Sequence, residues 1–177
     1  MIPKRTLGRT DIEVTTLGIG GYLGLLVDEQ ATPEKCETAA VDAVCGAVAL
    51  GVRYFDTSPA YGNGASERHL GAGLAALDSG LRDQLTVSTK VGTHPERRNA
   101  YADDDVRWCF DRSRELLGRI DVVFVHDPNS DAHVDTILGP GGAFDALEQL
   151  KAAGEIRAIG LGVRNHRFLR RAIDSGR

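Results

Sequence analysis

The chain has 177 residues, 42% of them hydrophobic, which suffices to bury one core but not two comfortable ones. Its 21 basic and 25 acidic residues leave a net charge of -4. That balance excludes the basic stripe of a nucleic-acid binder and the polybasic patch of a membrane-surface protein.

The N-terminus, Met1-Ile2-Pro3-Lys4-Arg5, has basic residues without an apolar stretch behind them, so no secretion signal is expected. No run approaches the length of a membrane span. Arg5-Thr6-Leu7 and Ile12-Glu13-Val14 flank the polar turn Gly8-Arg9-Thr10-Asp11 and predict a small hairpin. Leu17-Gly18-Ile19-Gly20 reads as a short apolar strand. A helix follows near Thr32-Pro33, with Thr at the N-cap, Pro in the first turn, and Val41, Val44, Cys45 and Val48 on one apolar face. Gly51 ends it, and Val52 to Asp56 form the second strand.

The alternation then recurs. Ser66 is expected to cap a helix bearing Leu70 and Leu74, and Leu85 to Val91 form strand three. Asp103-Asp104-Asp105 suits the positive end of a helix that buries Val106, Cys109, Phe110, Leu116 and Leu117 and stops at Gly118. Val122 to Val125 are apolar on both faces, as in a parallel sheet covered by helices. Phe144, Leu147 and Leu150 mark another helix, Ile156 to Val163 a fifth strand, and Asn165 caps a last helix with Phe168, Leu169 and Ile173. Five βα units behind a hairpin predict a single α/β domain with a parallel sheet. Cys36, Cys45 and Cys109 are odd in number and far apart, which suits reduced thiols in a cytoplasmic protein.

The polar residues that interrupt these apolar runs fall at one end of the sheet. Asp56 closes strand two on the face of Tyr54, Lys90 lies near the end of strand three on the face of Ser88 and Thr86, and His126 follows strand four. Tyr61 sits on the first of the intervening loops. Each has an ordinary reading: a turn cap, a half-buried aromatic, a solvated strand-end lysine, a hydrogen-bonded histidine. Together they converge, because exits of successive parallel strands meet at one mouth in a barrel. The loops 21–31 and 92–102 leave strands at that same end, where α/β folds place function.

At these positions the chain resembles the aldo-keto reductases. The resemblance rests on Asp56-x4-Tyr61-Gly62, Ser88-Thr89-Lys90-Val91-Gly92, Val125-His126-Asp127-Pro128, the hairpin with Leu7-Gly8-Arg9-Thr10, and Ile159-Gly160-Leu161-Gly162-Val163. Tyr61-Gly62-Asn63-Gly64-Ala65-Ser66-Glu67-Arg68 looks most like members that act on aldoses at carbon 1, with pyridoxal-type dehydrogenases similar. The resemblance implies a (β/α)8 TIM barrel, of which about five units are present, and an NAD or NADP cofactor. It also implies an aldose or aldehyde substrate, and catalysis by Asp56, Tyr61, Lys90 and His126. Gly21, Tyr22, Asp56 and Asn165 are the expected cofactor contacts, although the family's Ser-Asn pair near the end of strand five is replaced here by Gly162-Val163 or, with a shift, Arg164-Asn165. A phenol titrating near about 10 is a poor proton shuttle at neutral pH, and a neighbouring ammonium favours its ionised form. Lys90 held by Asp56 is that ammonium, and His126 orients the substrate oxygen.

A complete barrel of this type needs about 250 residues. The sequence therefore predicts a truncated barrel whose outer strands are unpaired edges, slow or absent turnover by the chain alone, or completion of the barrel by another chain. Three other readings compete. Gly18-x-Gly20 lacks the immediately following helix of a dinucleotide fingerprint. A metal-dependent hydrolase using His126, Asp127, His133 and His94 would place His94 and His133 in loops and has no His-x-His pair. A non-catalytic binding subunit has no need of all four mouth residues.

Overall fold

The computed structural model describes residues 2–21, 23 and 31–177. Strands β1 (Lys4–Thr6) and β2 (Glu13–Thr15) form the hairpin that the sequence predicts, with Arg5 opposite Val14. Thr10 closes its turn by donating to the Leu7 carbonyl. Helix α1 (Pro33–Ala49) begins with Pro in its first turn, and the Thr32 side chain accepts from the Lys35 amide. Strand β3 (Tyr54–Asp56) leads through a 3-10 turn, Tyr61–Gly64, into α2 (Ala65–Ala75) and the short α3 (Ser79–Arg82). Strand β4 (Thr86–Val91) is followed by a small ribbon, β5 (Thr93–His94) with β6 (Arg97–Arg98), and then α4 (Asp103–Leu117). Strand β7 (Val122–His126), α5 (Asp131–Leu138), α6 (Ala143–Ala152), β8 (Ala158–Gly162) and α7 (His166–Asp174) complete the chain.

Strands β3, β4, β7 and β8 lie side by side in chain order and run parallel. Their register carries the signature of a barrel wall. Asp56, the last residue of β3, is level with Ser88 in the middle of β4, and Ser88 is level with Val122 at the start of β7. Each strand is thus displaced along its neighbour, which is the stagger that tilts strands in a (β/α)8 barrel. The barrel is not closed. The predicted first strand contributes one parallel bridge, Ile19 to Phe55, with the Ile19 amide and carbonyl bonded to Tyr54 and Asp56 at 2.9 Å each. Ile19 there sits between two glycines, which give a strand nothing else to pack.

The two faces of the sheet do different work. Phe55, Val87, Val91, Val123 and Val125 point outward into the helix-covered core, where they meet Val44, Leu70, Leu74, Phe110, Phe144 and Leu147. The inward face is more polar, and its lower part is covered by the hairpin: Ile12 and Val14 pack on Val122 and Ala158, with Tyr54 and Phe124 alongside. At this floor Asp121 is a shared anchor. Its carboxylate accepts from the Val87 amide at 2.9 Å and from Arg119 at two points, and its carbonyl accepts from the Arg157 and Ala158 amides. A charge that is 3% exposed is tolerated because every oxygen has a donor.

Several details depart from the sequence reading. Ser66 is not the cap of α2: Gly64 fills that place and the Ser66 hydroxyl bonds Thr57 instead, at 2.6 Å. His94 lies in β5 and His133 in α5, not in loops. Helices α3 and α5 and the β5–β6 ribbon are additions to the predicted list.

Candidate active site

The site is built on the exits of β3, β4 and β7. Strand alternation puts Tyr54, Asp56, Ser88 and Lys90 on the inward face, and they connect in a line. Tyr54 Oη lies 3.1 Å from Ser88 Oγ, Ser88 donates to Asp56 Oδ1 at 2.6 Å, and Lys90 Nζ donates to Asp56 Oδ2 at 2.6 Å. The proton directions are fixed by chemistry. An ionised carboxylate only accepts, so the single Ser88 proton goes to Asp56 and Tyr54 must donate to Ser88. Burial pushes the Tyr54 phenol above its usual range, and the Asp56 charge adds to that effect, so Tyr54 remains protonated as this geometry requires. Each oxygen of Asp56 is thereby assigned, one to Ser88 and one to Lys90.

Lys90 is 7% exposed, and its second acceptor is the Thr57 carbonyl at 2.7 Å. That bond ties the ammonium to the loop that carries Tyr61. Nζ lies 4.9 Å from the centre of the Tyr61 ring, on its face, where a cation is attracted by the π-system. The Tyr61 turn is held by unusual backbone: Gly62, Asn63 and Gly64 all have positive φ, at 58°, 54° and 86°, conformations that favour Gly and Asn. Gly21 packs directly against this turn. A methyl group at residue 21 would meet Ser66 Oγ at 2.7 Å, Thr57 Cα at 2.9 Å and the Tyr61 ring at 3.0 Å, so the close approach itself demands glycine.

His126 closes the group from the opposite side. Its ring meets that of Tyr61 edge-on, with centroids 5.7 Å apart. Nδ1 faces two hydroxyls, Thr93 Oγ1 at 2.7 Å and Ser58 Oγ at 3.3 Å, and the Tyr101 hydroxyl bonds the His126 carbonyl at 2.9 Å. Ser58 Oγ already accepts from the Ala60 amide, so its proton is free to point at Nδ1. A hydroxyl proton supplied to Nδ1 is compatible with the ring's own proton on Nε2. Burial, reinforced by the Lys90 charge, pulls the His126 pKa below its usual value, which keeps the imidazole neutral at neutral pH.

Asp56, Tyr61, Lys90 and His126 are therefore gathered at one mouth, as their sequence positions predict. Asn165 lies elsewhere on the rim. Its side chain accepts from the Arg167 amide at 3.0 Å, capping α7, and it lines a cleft of about 340 Å³ with Asp127, Asn129, Arg164 and Phe168. Tyr22 lies outside the described residues. The sequence reading did not assign functions to Ser88, Tyr54, Ser58 or Thr93. Ser88 and Tyr54 were detectable by the period-two alternation that places them below Lys90 and Asp56, whereas Ser58 and Thr93 reach His126 only through the fold. His94 and His133 are occupied by aromatic rings, packing on Trp108 and Tyr101 with centroids 4.7 and 5.1 Å apart. Among the described residues, no three His, Cys, Asp or Glu side chains are grouped to hold a metal, and no helix is long and apolar enough to cross a membrane.

Residues 18–175 match the model of the aldo/keto reductase family. The chain belongs to that family. The chain is 40% identical over 148 residues to D-threo-aldose 1-dehydrogenase of a Pseudomonas species, covering 70% of this chain and 43% of the relative. It is 32% identical to pyridoxal 4-dehydrogenase of Microbacterium luteolum, covering 97% of this chain and 58% of the relative. The chain thus spans about half the length of the curated relatives it matches. Among solved structures, it superimposes on the aldo-keto reductase AKR11C1 of Bacillus halodurans in its holo form with a TM-score of 0.78 at 24% identity, covering 99% of this chain and 55% of that one. That likeness shows the fold.

Proposed function

We propose that this chain carries the catalytic residues of an oxidoreductase, dependent on NAD or NADP, that interconverts the carbonyl or hemiacetal of an aldose or aldehyde with its oxidised or reduced form. The observation that carries the reading is the convergence on Tyr61: the Lys90 ammonium, fixed by Asp56 and the Thr57 carbonyl, lies over the ring, and the neutral His126 meets its edge. The named relatives, an aldose dehydrogenase and a pyridoxal dehydrogenase, support the substrate class.

In this reading Tyr61 holds or takes the proton at the substrate oxygen. Lys90 sets a positive charge against the Tyr61 ring, and Asp56 and the Thr57 carbonyl keep that ammonium in place. His126 Nε2 donates to the same substrate oxygen and orients it, and the Thr93 and Ser58 hydroxyls keep its proton on the correct nitrogen. The residues present suit a nicotinamide dinucleotide. The rim cleft offers the Asn129 and Asn165 side-chain amides and the Arg164 guanidinium, groups that match a carboxamide and a phosphate. The cofactor, when bound, supplies hydride acceptance or delivery at the substrate carbon.

The test is Tyr61→Phe in a protein that carries this chain with its barrel completed and that turns over before the substitution, with turnover followed by nicotinamide absorbance over a panel of aldoses and aldehydes and dinucleotide binding followed by fluorescence. Loss of a general acid/base costs about 10²- to 10⁴-fold in turnover, and dinucleotide affinity is expected to stay within about 2-fold. Equal turnover by the variant would remove Tyr61 from the mechanism.

A further inference from the structure

Beside the catalytic residues lies a cleft of about 480 Å³, lined by Ala60 and Asn63 on one side and by Thr93, Pro95, Arg98 and Asn99 on the other. Two of its lining residues adjoin the site. Ala60 immediately precedes Tyr61, and Thr93 is the residue whose hydroxyl holds His126 Nδ1 at 2.7 Å. A volume of this size falls within the usual range for small-molecule sites, about 300–1,000 Å³.

The lining has a definite chemistry. Arg97 and Arg98 are consecutive in β6, so their side chains leave opposite faces of the ribbon. Arg97 turns to α4, where it pairs with Asp105 at 2.9 Å and lies 4.2 Å over the Trp108 ring. Arg98 turns to the cleft. Among the described residues its guanidinium forms no ion pair or hydrogen bond, and none of the lining side chains is acidic, although acids outnumber bases in the chain as a whole. Two carboxamides, Asn63 and Asn99, and the Thr93 hydroxyl supply both donors and acceptors. Neutral groups of this kind match sugar hydroxyls, and an unpaired guanidinium matches a planar or tetrahedral oxyanion.

We propose that this cleft is a substrate subsite that takes the end of an aldose remote from its reacting carbon, and that this end carries an oxyanion, a phosphate or a carboxylate, recognised by Arg98. The inference rests on the oxidoreductase reading for the identity of the occupant as substrate. Arg98 is exposed, so the attraction acts through solvent and weakens with salt. An ordinary solvated surface arginine would give no discrimination at all.

Calorimetric titration of the whole chain at low salt with D-glucose 6-phosphate, D-glucuronate, D-glucose and inorganic phosphate decides between them. At least one charged sugar is expected to bind about 10-fold more tightly than D-glucose, with inorganic phosphate weaker than that sugar. In Arg98→Gln the preference is expected to fall below about 2-fold while D-glucose affinity stays the same. Whichever charged sugar binds better names the oxyanion. Three results would overturn the proposal: no preference in the parent chain, a preference that survives in Arg98→Gln, or inorganic phosphate binding as tightly as the charged sugar. Binding needs no turnover, so failure of Tyr61 as the acid/base and failure of Arg98 as the anion contact are read separately.

Discussion

Removing the members of the Lys90–Asp56 pair one at a time is expected to have unequal costs. The Lys90 side chain is 9% exposed and that of Asp56 is 30% exposed. Breaking a buried pair costs about 3–5 kcal/mol, because the survivor is left as an uncompensated charge. In Asp56→Asn the survivor is the more deeply buried ammonium, which keeps the Thr57 carbonyl and a neutral amide, so a cost of about 3 kcal/mol is expected. In Lys90→Met the survivor is a carboxylate that keeps the Ser88 hydroxyl and reaches water, so about 1–2 kcal/mol is expected. The double variant strands neither charge, and its cost should fall short of the sum of the singles by about 2 kcal/mol. Urea unfolding followed by the fluorescence of the single tryptophan, Trp108, measures all four proteins. Costs that add within about 0.5 kcal/mol, or a larger loss in Lys90→Met than in Asp56→Asn, would refute the reasoning.

Gly71→Ala is expected to destabilise by about 2 kcal/mol or more, because the new methyl would lie 2.1 Å from the Leu116 carbonyl oxygen where α2 crosses α4. Gly80→Ala, with open space around it, should be neutral or stabilising by up to about 1 kcal/mol, and thermal melts of the two compare them directly. Glu67 is 2% exposed, with Oε1 accepting from Thr89 at 2.5 Å, and burial raises its pKa above 4.5. A raised folded-state pKa gives stability that is present below about 4.5 and lost as pH rises through the raised value, so Glu67→Gln should unfold at higher urea near neutral pH and lose that part of the pH dependence. An unchanged profile between pH 4 and 8 would count against it. Burial pushes the Cys109 thiol up to about 12, so of the three cysteines only Cys36 and Cys45 should react with a thiol reagent at pH 8, Cys109 following only on unfolding.

How much of this was legible in the sequence depended on whether a feature prints a period. Asp56, Lys90 and His126 are legible because each is a polar residue at the same end of its strand, an end common to all parallel strands of one sheet, and Tyr61 follows from its place on the loop that leaves the first of those ends. The Glu67–Thr89 and Ser88–Asp56 bonds are not legible, since they join residues 22 and 32 positions apart. Helix α5 buries only Val134 and Ile137, too few positions to show a helical repeat, although Ser130, which accepts from the His133 amide, was a start signal in plain view. The β5–β6 ribbon has two residues in each strand, so no alternation exists to be read. Ser66 had the right chemistry for a cap but was already committed to Thr57, a choice that local sequence does not record.

The Asp121 anchor has a consequence for how this scaffold tolerates change. It fastens β4, β7 and β8 at the end opposite His126, about 16 Å away at roughly 3.3 Å per residue, through bonds in which no mouth residue takes part. The floor therefore holds these three strands together without help from the mouth. A substitution at the mouth leaves this foundation in place, whereas a change at residue 121 would loosen three strands at once.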